Sequence, residues 1–188
     1  MTNYKQVLFF GLVFVAGLLR AQESIPSAWP RQSSGWSEFL SVEGGFKVLS
    51  PAGLRERADT IPTPLGNLVY HTFHCKESAD IVYMVSYCDY PEYTIHQDSV
   101  DMLQEFFKAT MEQAAFSVEG EIAYQEDQDV LGYPGKVWRI NSPKSKSVIR
   151  TRAFVAGSRY YAVQTVMMKG ESLNPSSERF LESFRLLL

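Results

Sequence analysis

Residues 71–75 read HTFHC, and a second cysteine follows at Cys88. The chain has three histidines and two cysteines in all, so these five positions concentrate the residue types that bind metals, exchange disulfides or act as nucleophiles. A metal site, a redox pair and a Cys–His dyad are the three chemistries to weigh. Each needs side chains that meet in space, so the outcome depends on the elements that carry them.

Leu68 to His74 and Ile81 to Cys88 are rich in Val, Ile, Tyr, Thr and Phe, and they flank the polar stretch KESAD. That pattern predicts an antiparallel hairpin. Side chains alternate along a strand, so His71 and Cys75 share one face while His74 points to the other. His71 and Cys75 then lie ~13 Å apart at ~3.3 Å per residue, whereas ligands of one zinc sit ~2.0–2.3 Å from it. His74 and Cys75 are adjacent and point apart, so they make no dyad. With the turn inside residues 77–80, Cys75 falls opposite residue 82 and Cys88 opposite residue 69. The cysteines are then ~20 Å apart along the hairpin, against the ~7 Å between α-carbons that a disulfide tolerates. The expectation is two free, mostly buried thiols, no disulfide, no metal and no catalytic residue.

No G-x-S-x-G elbow, phosphate loop or H-E-x-x-H occurs, and VEGG and GYPG read as turns, so no cofactor is expected. Asp89 and Glu92 around Pro91 read as a solvated turn, and His96 as a surface residue.

The remaining elements follow from periodicity and punctuation. GGFKVLSP places a strand at Phe46 to Leu49, residues 54–60 make a charged strand, and IPTPLG is a turn. Val100, Leu103, Phe107, Met111, Ala114 and Val118 lie on one face of a helix, with Asp98 as its cap and Gly120 at its end. Strands are predicted over Ile122–Gln128, Lys136–Ile140, Ser147–Ala156 and Arg159–Met168. Gly157-Ser158 joins the last two as a type II′ turn. Asn174 caps and Pro175 opens a terminal helix whose apolar stripe is Phe180, Leu181, Phe184, Leu187 and Leu188. Hairpin-joined strands with few helices imply an α+β class built on an antiparallel sheet, with the helices packed on it.

Across the Gly157-Ser158 turn, Val155, Tyr160, Ala153, Ala162, Ile149 and Val166 share one face. The other carries Arg150, Arg152, Phe154 and Tyr161. Arginines beside aromatics can hold an anion or a carboxylate-bearing partner, which makes Arg150, Arg152 and Tyr161 the candidate binding residues. The same arginines can instead pair with the acids Glu121, Glu126 and Asp127, and that pairing is the expected one.

Lys5 precedes an apolar run of 13 residues, Val7 to Leu19. That is shorter than the ~20 residues of a membrane span and fits a secretory signal cut after Ala21. Residues 1–21 are thus read as a signal, 22–36 as a linker with Trp29 and Trp36, and 37–188 as one domain. No cysteine follows the signal, so no lipid anchor is expected there. Without Lys5 and Arg20, 16 basic residues face 21 acidic ones, a net charge of −5. A mildly acidic chain without a basic run argues against nucleic acid and against an anionic membrane surface as partners.

WSEFLSVEGGFKVLSP, VSYCDYP, GYPGKVWRI, RTRAFVAGSRYYAV and RFLESFRL, in this order over residues 36–188, resemble the PsbP-like group of exported domains. The resemblance implies an antiparallel sheet sandwiched by helices, and a non-catalytic, protein-associated domain. The group's best-known member is an extrinsic subunit of photosystem II, a distant relative of its fold binds a nuclear GTPase, and many bacterial members have no assigned role. No functional residue carries over, because no binding motif of either protein is matched, and nothing in the sequence speaks for photosynthesis. The expected protein is exported, periplasmic or secreted, and not an enzyme. It is expected to bind an unidentified protein of the cell envelope, with no membrane span after signal cleavage. The alternative is a small anionic-ligand binder or weak enzyme using the Arg150, Arg152 and Tyr161 face.

Overall fold

The computed structural model describes residues 35–63, 66–168 and 174–187. The signal reading and residues 22–34 of the linker lie outside them. Runs of β-branched and aromatic residues broken by turn signals make more than half of the described residues strand. The strands are β1 (Ser37–Ser41), β2 (Phe46–Ser50), β3 (Arg55–Thr63), β4 (Gly66–Lys76), β5 (Ile81–Asp89), β6 (Glu121–Val130), β7 (Tyr133–Ser142), β8 (Ser147–Ala156), β9 (Arg159–Met168) and β10 (Arg185–Leu186). Helix α1 spans Val100–Ser117 and α2 spans Pro175–Ser183.

Seven strands form one sheet in the order β3-β4-β5-β9-β8-β7-β6, and β1, β2 and β10 form a second, smaller one. Every ladder is antiparallel. Helix α1 carries the chain from β5 in the middle of the large sheet to β6 at its edge. The meander β6 to β9 then returns until β9 pairs with β5. Both edge strands resist further pairing: β3 carries Arg55, Glu56, Arg57, Asp59 and Pro62, and β6 carries Glu121, Glu126, Asp127 and Asp129.

Alternation along the strands supplies two cores. On the first face, Tyr70, Met84, Cys88, Trp138, Ile149, Tyr160 and Ala162 pack under Leu103, Phe106, Phe107 and Met111 of α1. On the second, Phe73, Tyr83, Val85, Phe154, Tyr161 and Met167 pack under Phe46 and Val48 of the small sheet and Phe180 and Leu181 of α2. Trp36, the end of the predicted linker, packs edge-on against Tyr83 at 5.6 Å.

Several details differ from the sequence-based reading, which had no β1 and took IPTPLG as a turn, whereas Ile61, Pro62, Thr63 and Gly66 of that stretch pair in the β3–β4 ladder. The β4–β5 register pairs Cys75 with Tyr83 and Cys88 with Tyr70, one residue from expectation, because the amide of Glu77 bonds the carbonyl of Ile81 and the bend takes all of 77–80. The N-cap of α1 is Ser99 rather than Asp98, without a side-chain cap bond. At the other end the left-handed residue is Glu119, with φ 49°. Gly120 is needed there for a different reason: a Cβ on it would meet Ile140 Cγ2 at 2.7 Å and the Asn141 carbonyl at 2.9 Å. Last, the terminal helix stops at Ser183, and the chain turns extended at Phe184 to lay β10 on β2. The Asn174 cap, which accepts from the Ser176 amide at 2.8 Å, and Gly157 at φ 63° stand as predicted.

Candidate functional site

The HTFHC side chains do not converge. His71 Nδ1 lies 2.9 Å from Glu56 Oε1, and its ring stacks on Tyr87 at 4.5 Å between centroids. His74 points to the first face, its Nδ1 buried with no hydrogen-bond partner among the described residues. Burial, then the positive charges of Arg55, Arg57 and Lys76, lowers its pKa. Cys75 and Cys88 are free and buried on opposite faces of the sheet. Burial pushes the Cys75 thiol up to about 11 and the Cys88 thiol to about 12. Both are therefore held protonated at neutral pH, the state in which a thiol is a poor nucleophile. His96 lies by the helix approach, 3.3 Å from Asp98. Asp89 receives the guanidinium of Arg159 in a two-point grip of 2.5 and 2.7 Å, and Arg159 also covers the Tyr87 ring at 4.8 Å. Among the described residues, no three His, Cys, Asp or Glu side chains are grouped to hold a metal ion.

The arginine-bearing face divides in two. Tyr161 lies in the closed half. It is 4% exposed, its hydroxyl donates to the Gly44 carbonyl at 2.8 Å, and its ring stacks on Phe154 and meets Phe184 edge-on. It therefore stands apart from the two arginines it was grouped with. Arg150 and Arg152 lie in the other half, toward β7 and β6. Register puts Arg139 directly opposite Arg150, Val137 opposite Arg152, and Tyr124 of β6 opposite Arg139. Arg150 pairs with Glu178 in the first turn of α2. Burial acts against its charge, but Glu178 and the Tyr124 hydroxyl more than offset that and raise its pKa. Arg139 Nε donates to Asn141 Oδ1 at 3.0 Å. Arg152 Nε is buried with no hydrogen-bond partner among the described residues.

None of the acids expected to neutralise the arginines pairs with one among the described residues. Asp127 pairs with Lys136 at 2.7 Å and accepts from Gln104 at 3.3 Å, both on the first face. Glu121 stands opposite Asn141, and Glu126 opposite Val137 on the arginine face. No ion pair joins Glu126 to an arginine among the described residues.

No family model and no curated protein matches the chain. Among solved structures, cyanobacterial PsbP from Synechocystis matches over 86% of this chain and 98% of that one, with a TM-score of 0.55 and 11% identity. A crystal structure from Bacteroides thetaiotaomicron matches over 82% of this chain and 49% of that one, with a TM-score of 0.39 and 11% identity. The fold is PsbP-like.

On this PsbP-like sheet the three residues missed at the sequence level are Arg139, Tyr124 and Glu178. Strand parity could have found the first two: in KVWRIN, Trp138 and Ile140 alternate with Val137, Arg139 and Asn141, and the short NSPKSK turn sets 139 near 150. Glu178 carries no such signal, because a helix docks on a sheet through contacts that local periodicity does not encode. The PsbP-like core also leaves a hollow of about 300 Å³ on the first face, between α1 and β6–β7. Gln104, Lys108, Met111, Ile122, Gln125 and Lys136 line it, and none of the three arginines does. No helix among the described residues is long and apolar enough to cross a membrane.

Proposed function

We propose that the chain is a non-catalytic binding domain of PsbP-like α/β/α build, exported to the periplasm or beyond, that docks on another protein of the cell envelope. One observation carries the reading. Half of the second face is closed by the small sheet and α2, while the other half leaves Val137, Arg139 and Asn141 of the interior strand β7 half-exposed. On the opposite face of the same strand, Trp138 and Ile140 are fully buried. An interior strand left half open on one side is a surface for something outside the chain. The run Val7 to Leu19 and the likeness to PsbP support the export part of the reading.

The small-ligand alternative draws less support. The hollow lies across the sheet from the arginines, and Tyr161 is enclosed by the chain's own rings. The test is gentle crosslinking of the tagged chain in its native envelope, with the crosslinks mapped. A partner crosslinked beside β6 and β7 is the expected result. Recovery of no protein above the background of a tag-only control counts against docking.

A further inference from the structure

We infer that the open half of the second face binds an acidic peptide segment, with Arg139 and Arg152 taking its carboxylates and Arg150 held beside them by Glu178. This rests on the reading of the chain as a protein-docking domain.

The geometry points to a carboxylate ligand in three ways. Arg139 and Arg150 are directly opposite across two strands, a spacing of ~5 Å at which like charges destabilise a sheet. Only Arg150 has an acid in contact among the described residues. Arg152, two residues along β8, keeps a buried Nε without a partner, and an unmet donor on a guanidinium costs stability until an acceptor arrives. Glu178 shows the mode already in use: a carboxylate from α2 reaches across the face to Arg150. A second carboxylate on Arg139 and Arg152 would relieve the repulsion and satisfy the open fork.

The surroundings select a peptide among anions. Val137 sits between the arginines and Tyr124, 41% exposed, borders them. A ligand that alternates apolar and acidic side chains fits such a floor, and a bare oxyanion does not use it. The charge surplus is also small. Three arginines face Glu178 and Glu126, and residues 22–188 carry a net −5. That suits one or two carboxylates and disfavours nucleic acid or an anionic membrane, which reward many positive charges.

The probe is a fluorescein-labelled octapeptide of alternating glutamate and valine, titrated by anisotropy at low ionic strength, with a glutamine–valine peptide as control. The glutamate peptide is expected to bind and the glutamine peptide not. Arg139→Gln and Arg152→Gln should each weaken binding about tenfold, as for a charge-assisted pair. Lys144→Gln, a surface cation paired with Glu119, should leave binding unchanged. Circular dichroism checks that each variant is folded; if Arg152→Gln is not, Arg152→Lys keeps the charge but loses the fork, and should still weaken binding. Equal binding of both peptides, or full binding by folded Arg139→Gln and Arg152→Gln, overturns the proposal. So does arginine-dependent binding of inorganic phosphate or phosphatidylglycerol vesicles without the peptide. An envelope partner crosslinked elsewhere, with no peptide binding, sinks this site and leaves the docking role standing. Arginine-dependent peptide binding with no envelope partner supports the site and sinks the docking role.

Discussion

Cys75 and Cys88 show how burial decides chemistry at a single residue. Their pKa values of about 11 and about 12 lie far above neutrality, so thiolate is scarce until the protein opens. A disulfide reagent should therefore label neither within minutes in native buffer and both in denaturant. Rapid native labelling of either residue would show an exposed thiol and contradict the burial. His74 offers a second measurement. Burial and the charges of Arg55, Arg57 and Lys76 lower its pKa in the folded state. The unfolded chain therefore takes up the proton first as pH falls below about 6.5, and stability drops with pH through that window. His74→Gln removes this titration. Its urea midpoint should fall less between pH 7.5 and pH 5.5 than the wild-type midpoint, with other groups common to both. Parallel pH curves for the two proteins would refute the assignment.

At the scale of elements, α1 contrasts a phenylalanine inside with one outside. Phe106 is 2% exposed and meets Tyr90, Phe107 and Tyr160 edge-to-face at 5.3–5.7 Å. Phe106→Ala should cost about 3–5 kcal/mol. Phe116, on the same helix but 79% exposed, should cost less than about 0.5 kcal/mol on the same substitution. Urea unfolding of both variants checks the pair, and a small loss at Phe106 would mean that α1 does not seal the first core. This helix was legible in the sequence because its apolar period is local, although Val100, placed on its buried stripe, is exposed and the buried Phe106 was left off it. The two faces of the β8–β9 hairpin were legible too, since one tight turn sets its register. The β4–β5 register was not, because a four-residue connection can close in two ways. That single step matters: the expected register put Cys88 on the face of Cys75, and the observed one puts it on the face of His74. β10 was missed for another reason. Phe180, Leu181, Phe184 and Leu187 fit a helical stripe, and only pairing with distant β2 ends the helix at Ser183. The candidate site followed the same division. Arg150 and Arg152 could be placed on one face from alternation alone, while the loss of Tyr161 to the small sheet and the arrival of Glu178 are tertiary events.

For the whole molecule, the large sheet is shared between two cores. β9 contributes Tyr160, Ala162 and Val166 to the core under α1, and Tyr161, Val163 and Met167 to the core under the small sheet and α2. β5 does the same with Met84 and Cys88 on one side and Tyr83, Val85 and Tyr87 on the other. Neither core can melt while these strands stay paired and dry on its side. Topology ties them further, since α1 covers one face and also links β5 to β6. Phe106→Ala on the first face and Phe180→Ala, whose ring lies 4.9 Å from Tyr83 on the second, should therefore move one and the same transition. Urea curves followed by far-ultraviolet dichroism and by near-ultraviolet dichroism should stay superimposed in both variants, as two-state unfolding requires. A Phe180→Ala protein that loses its near-ultraviolet signal well before its far-ultraviolet signal would show that the small sheet and α2 come off alone. The open arginine face would then border a detachable layer, and Glu178, which holds Arg150 from that layer, would leave with it.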